Sequence, residues 1–218
     1  MRIAGISGAT RARHKTVTTR RDDTAARHPD LVTRAWHAPI EPDQLWVADF
    51  TYVWTLVGFV YVAFIVNVYS RRILGWQASY SKQASLVTKA LAHALATRRR
   101  HRPQWSPGGL VHHSDAGSQY TSVALTTDLI ASGITGSIGT VGDAVDNALM
   151  ESTIGPYKTE VINPAGSWDD RAAVAWATAA WVRWYNNDRL HSSLDHRSPA
   201  TYETHHYHHD QALNPEAA

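Results

Sequence analysis

The chain has 218 residues, with 21 Lys and Arg against 19 Asp and Glu, 44% hydrophobic and 18% charged residues, and no cysteine. That balance fits one full globular domain with a short appendage, and it excludes a disordered polymer, a disulfide scaffold and thiolate metal sites. Met1 is followed by no apolar signal region, and the longest apolar run, 59–68, is about half of the roughly 20 residues a membrane-spanning helix needs, so a soluble intracellular protein is expected.

Residues 1–43 are polar and aperiodic, and residues 1–40 hold eight Lys or Arg against three Asp. Such an arm either tracks phosphates or is a solvated terminus. Order is expected to begin at DQLWVADFTYVWTL, whose Leu45, Val47, Phe50, Tyr52 and Val53 are strand formers around Asp49. VGFVYVAFIVNVYS is apolar throughout and reads as a central strand covered on both faces. RRILGWQAS gives a third strand after a tight link, which suggests an antiparallel meander.

The period then changes. Leu86, Ala90, Leu91, Ala94 and Leu95 recur at helical spacing, with Ser85 as the expected N-cap and Arg98 to Arg100 in the last turn, where they favour the helix dipole. Pro103, Pro107 and Gly108-Gly109 mark a loop. LVHHSDAG is a fourth strand, SVALTTDLIASG a helix ending at Gly133, and ITGSIG a short fifth strand. DAVDNALMESTIG is helical from Asp143, with Asp143 and Asp146 resembling a capping box. The last long helix covers DDRAAVAWATAAWVRWYNNDRL, with Val174, Thr178, Trp181 and Tyr185 on one stripe. Residues 204–218 read as a disordered, His-rich tail. The order βββαβαβ followed by helices predicts an α/β fold: a five-stranded mixed sheet, three strands in an antiparallel meander plus two parallel strands, with helices on both faces.

Three acids stand out on that scaffold. Asp49 lies on the first strand, Asp115 at the end of the fourth, and Glu151 on the helix after the fifth, with 35 residues between Asp115 and Glu151. If the first and fourth strands are neighbours, the two aspartates meet. An all-oxygen set suits Mg²⁺ or Mn²⁺, and two such ions support phosphoryl transfer. Each acid alone has a plainer reading: Asp115 as a helix cap, Asp49 paired with an arginine, Glu151 solvated.

The stretches LWVADFTYV, VYSRRILGW, LVHHSDAGSQYTS, GDAVDNALMES, YKTEVI and WYNNDRLHSSL…RSPA, from about residue 30 to about 203, resemble the catalytic domain of bacterial insertion-sequence transposases of the IS-three family, in the retroviral-integrase-like superfamily. The resemblance implies a ribonuclease H-like core over 44–203 with Asp49, Asp115 and Glu151 holding two Mg²⁺ ions. It implies DNA as the substrate: water attacks a phosphodiester at the element's end, and the freed 3′-hydroxyl attacks another strand. It implies as partners an upstream-frame helix-turn-helix protein, joined by fusion, and further copies on DNA, in the bacterial cytoplasm and without a membrane. Residues 1–43 then read as the remnant of a DNA-binding region.

Other residues fit such work in two ways each. Arg71 and Arg72 sit on phosphates or form surface salt bridges. His113 and Gln119 flank the second acid and touch DNA, or His113 is an ordinary bonded histidine. Asn147, one turn before Glu151, shares its face. Lys158 returns to that face if the helix continues, and in the wider integrase group a lysine there contacts DNA ends. Asn186, Arg189 and His191 line the DNA path or pin the last helix. His205, His206, His208 and His209 chelate a metal only if something fixes their geometry.

Two positions depart from the family pattern. Asn67 stands where relatives commonly carry Asp. Pro156 stands where they carry a bulky apolar residue, and it is expected to kink or stop the helix that carries Glu151. Pro156 and the short front support an alternative, a truncated non-catalytic DNA-binding or regulatory fragment. A host nuclease on the same fold is a third reading.

Overall fold

Strand-forming residues in the first third of the chain build an antiparallel meander: β1 (Leu45–Thr55), β2 (Gly58–Asn67) and β3 (Ile73–Ser79). The computed structural model describes residues 28–32, 39–139 and 144–213. Helix α1 (Ala84–His101) crosses to β4 (Val111–Ser114), and α2 (Val123–Ala131) crosses to β5 (Thr135–Ile138). The sheet order is β3-β2-β1-β4-β5, with β1 parallel to β4 and β4 parallel to β5. This is the mixed five-stranded sheet expected from the element order.

Each face of the sheet carries its own core. On one face, Trp46, Ala48, Ala63, Ile65 and Leu74 pack against Leu86, Ala90, Leu91 and Ala94 of α1. A Cβ at Gly75 would stand 2.2 Å from the Ala90 carbonyl oxygen, so β3 and α1 approach backbone to backbone there. On the other face, Val47, Phe64 and Val66 pack against Met150 and Tyr157 of α3 (Ala144–Tyr157) and Val174, Trp181 and Tyr185. The last three belong to α5 (Arg171–Asn187), which follows the short α4 (Asn163–Ala165). Thr178 is buried beside them, so the stripe read from the sequence is the buried face of α5.

Three local expectations are corrected. Helix α1 begins at Ala84 with Gln83 at the N-cap and no side-chain cap bond, so Ser85 lies inside the helix. Pro156 neither stops nor ends α3. The helix passes through it to Tyr157 and continues as a π-helical turn, Lys158–Ile162. A π turn spreads the backbone where proline removes a hydrogen bond and crowds the preceding turn. Residues after 203 are not a disordered tail, because α6 (Pro199–Leu213) runs through them and anchors on the buried Glu203. Asp143, most of the basic arm and residues 214–218 lie outside the described residues, as does the side chain of Asp146. Among the described residues no helix is long and apolar enough to cross a membrane.

Candidate active site

Strands β1 and β4 run parallel, and their last paired residues are Ala48 and Ser114. The next residue on each chain is an acid, Asp49 and Asp115. Neighbouring strands lie about 4.8 Å apart, so the two acids start side by side at the carboxyl ends of adjacent parallel strands. That end of a parallel sheet is where α/β folds bind ligands.

The electrostatics follow from this placement. Burial and then the nearby charge of Asp115 push the Asp49 carboxyl up to about 7. Glu151 adds to the rise, and the Phe50 N–H, 2.7 Å from Asp49 Oδ1, opposes it. Burial also raises Asp115, against a hydrogen bond from the Gly117 N–H (3.0 Å) and the charge of His113. Glu151 sits exposed on α3, and its charge reaches Asp49. Among the described residues no three acids or histidines lie close enough to form a metal-ligand group. The two aspartates are therefore brought together, while Glu151 stands at the rim.

The remaining expected residues divide by burial. Arg71, in a left-handed conformation (φ 58°), reaches Ser152 Oγ at 3.4 Å beside Glu151. Arg72 is turned inward, with Nη1 2.8 Å from Glu203 Oε2. His113 is buried, with Nδ1 2.9 Å from Ser137 Oγ. Gln119 is buried too, so neither it nor His113 is presented at the surface. The side chain of Asn147 lies outside the described residues. Lys158 folds back: its ammonium bonds the Tyr52 carbonyl oxygen and lies 4.6 Å from the centre of the Tyr52 ring. Burial lowers its pKa. Arg189 pairs with Glu160, and its guanidinium lies 5.4 Å from the Trp184 ring. His191 packs on Tyr185 at 4.8 Å, and Asn186 bonds both the N–H and the carbonyl of Ile73. In this arrangement Asn186, Arg189 and His191 pin α5.

Two Integrase core domain family models match the chain, over residues 39–144 and 132–199. The chain is 47% identical over 207 residues to the transposase for insertion sequence element IS629 of Shigella sonnei, covering 95% of this chain and 66% of that protein. It is 42% identical over 203 residues to a protein of insertion sequence element IS986/IS6110 from Mycobacterium tuberculosis (strain CDC 1551 / Oshkosh), covering 93% of this chain and 72% of that protein. The chain belongs to the insertion-sequence transposase family. Its fold is similar to the catalytic core domain of HTLV-2 integrase, solved in complex with magnesium, with a TM-score of 0.56 and 14% identity over 75% of this chain and 97% of that one. The likeness is one of fold, and the sheet of this transposase-family chain is the ribonuclease H-like sheet of integrase cores.

Two neighbours of the acids were not singled out from the sequence of this family member. Gly117 leaves a space faced by Asp115 Oδ1 and Gln119 Oε1, 3.0 and 3.1 Å from where a Cβ would stand. Tyr120 is buried, and its hydroxyl has no hydrogen-bond partner. Burial and the charges of Asp49 and Asp115 hold its phenol well above the usual range. The signal for both was adjacency in DAGSQY. Helix α6 does give the tail histidines fixed positions, and among the described residues they join no metal-ligand group.

Proposed function

We propose that the chain is the catalytic part of a DNA transposase that cleaves insertion-sequence ends and joins them to a new strand, with Asp49, Asp115 and Glu151 as its acids. The observation that carries this reading is the placement of Asp49 and Asp115 at consecutive register positions on adjacent parallel strands, together with the family. Oxygen-only donors fit a hard divalent ion such as Mg²⁺ or Mn²⁺. The rise of Asp49 to about 7 is the response of a buried acid beside a like charge that lacks a neutralising cation. Two bound ions would be held by Asp49, Asp115 and Glu151, and when bound they polarise the phosphodiester and favour ionisation of the attacking hydroxyl.

The residues of the chain do the rest. Asp49 serves as a ligand only when ionised, so protons compete with the cation as pH falls below about 7. The backbone N–H of Gly117 fixes the Asp115 carboxylate in orientation. Arg71, beside Ser152 and Glu151, suits a DNA phosphate at the rim. Cleavage breaks the P–O3′ bond across the element boundary: a water oxygen bonds to phosphorus and the 3′-hydroxyl leaves protonated. In strand transfer that hydroxyl loses its proton, bonds to a second phosphorus and displaces another 3′-oxygen. The partners under this reading are element ends and target DNA, an upstream-frame helix-turn-helix protein, and further copies on DNA, in the bacterial cytoplasm at the nucleoid.

One observation favours the second reading, a non-catalytic DNA-binding fragment: Glu151 does not join the aspartates in a ligand group. A strand-transfer assay on the element's end sequence with Mg²⁺ decides between them. Joined product that disappears in Asp115→Asn supports the enzyme. DNA binding without cleavage or joining supports the fragment.

A further inference from the structure

The Asp115 turn holds an oxygen that the three-acid set does not use. Gln119 is 5% exposed, and its Oε1 is screened from water with no hydrogen-bond partner. A buried amide oxygen left unpaired carries an energetic cost of about 1–3 kcal/mol, and such atoms in folded proteins call for an explanation. The geometry around it is specific. Asp115 Oδ1 and Gln119 Oε1 face one small space, and that space exists because residue 117 has no side chain. Any Cβ there would stand about as close to each oxygen as a hydrogen-bonding partner does. Two convergent oxygens, one anionic and one a neutral amide, are donors that hard divalent cations accept.

We propose that Gln119 Oε1 is a ligand of the divalent cation bound at Asp115, so that this transposase-family chain holds one ion with four side chains rather than three. The inference rests on the metal-dependent reading above. It gives the unpaired oxygen its partner and gives Gly117 its reason: any larger residue fills the seat of the ion. It also reassigns Gln119, which sequence alone suggests as a DNA contact, to the ion beneath the DNA.

The absence of cysteine from the chain makes the test free of background. In the full chain, Gln119→Cys replaces the amide oxygen with the only thiol present. A direct ligand then gives a thiolate-to-cadmium charge-transfer absorption band on titration with one equivalent of Cd²⁺, and Asp115→Asn in the same background abolishes it. In parallel, Gln119→Leu lowers Mn²⁺ affinity, measured by calorimetry, by about tenfold. Circular dichroism establishes that each variant is folded. If the wild-type chain binds Mn²⁺ in a way that depends on Asp49 and Asp115, yet folded Gln119→Cys shows no band, Gln119 is not a ligand and only this inference falls. If the wild-type chain shows no Asp115-dependent binding of Mn²⁺, the metal reading itself falls and takes this inference with it.

Discussion

Arg98 and Glu203 form a two-pronged ion pair in the interior, Nη1 to Oε2 at 2.7 Å and Nη2 to Oε1 at 2.6 Å. Both side chains are 1% exposed. Arg98 Nε also bonds Asp43 at 2.8 Å, and Glu203 accepts from Arg72 and from Ser70 Oγ. The cluster ties the start of β1, the last turn of α1, the β2–β3 link and α6 into one knot. Glu203→Gln leaves Arg98 and Arg72 with one anion between them. Removing one partner of a buried pair costs about 3–5 kcal/mol, and urea unfolding reads it directly. Burial alone would raise the Glu203 carboxyl, but the bonds and charge of Arg98, with Arg72 and Ser70, hold it down at about 2. Its stabilisation is therefore complete above the ordinary value of 4.5 and is lost as pH falls from there through about 2. A variant as stable as wild type at neutral pH would contradict this account.

Asn67 completes the knot without charge. Its Nδ2 donates to Asp43 Oδ1 at 3.0 Å and to Glu203 Oε1 at 3.4 Å. Two arginines thus face two carboxylates. Asn67→Asp turns a shared donor into a third buried anion and is expected to cost about 1–3 kcal/mol at pH 7. The new carboxyl has a raised pKa in the fold, so the deficit shrinks as pH is lowered towards 5, where Glu203 is still ionised. Chemical denaturation at both pH values is the measurement. A deficit that grows on acidification would refute the charge argument.

Asp49 carries the opposite sign. Its folded pKa is raised to about 7, so its contribution is fully present below its ordinary value of 3.8 and is lost as pH rises through 7. Asp49→Asn is therefore expected to stabilise the cation-free protein above pH 7, by about 2 kcal/mol after discounting for partial exposure. The two proteins should converge near pH 4. Thermal unfolding in chelator tests this, and equal melting temperatures at alkaline pH would rule it out. Strand transfer by the wild type should correspondingly decline as pH falls below about 7.

Adjacent arginines separate by function. Arg71 stands beside Ser152 at the rim, and Arg72 points into the knot. Arg71→Ala should weaken DNA binding and reduce the slope of log affinity against log salt by about 0.9, the effect of one phosphate contact. Arg72→Ala should leave the slope unchanged and lower stability. Fluorescence anisotropy at several salt concentrations distinguishes them. Identical slopes for Arg71→Ala and wild type would remove Arg71 from the DNA interface.

What could be read from the sequence was what is encoded locally. Alternation and apolar runs gave the meander, helical spacing gave the Val174, Thr178, Trp181 and Tyr185 stripe, and strand order put Asp49 next to Asp115. The knot is not local. Arg98 looks like one of three arginines complementing a helix end, and its partner is 105 residues away. Helix α6 escaped for the same reason: its buried anchor is Glu203, its neighbours are histidines and tyrosines, and no apolar stripe marks it. Lys158 and Glu151 share a face by α-helical arithmetic, but the π turn at Lys158–Ile162 changes that phase, and tertiary contacts with Tyr52 fix the lysine instead.

Pro156 tests whether that π turn is caused by the residue or by the packing. Proline has no N–H for the Ser152 carbonyl, and its ring crowds the preceding turn. The distortion starts two residues later, where the Asn163 N–H bonds the Lys158 carbonyl. Tyr157 and Ile162, at the two ends of the stretch, are both buried. If proline causes the widening, Pro156→Ala restores the missing hydrogen bond and gains about 1–3 kcal/mol. The amide of residue 156 would then be protected from hydrogen exchange. It would also shift Lys158 off Tyr52 and free its ammonium, which a steeper salt dependence of DNA binding would register. If packing of Tyr157 and Ile162 imposes the turn, the same substitution leaves Lys158 in place and the salt slope unchanged. A loss of stability in Pro156→Ala would show that the proline is matched to the turn rather than strained against it.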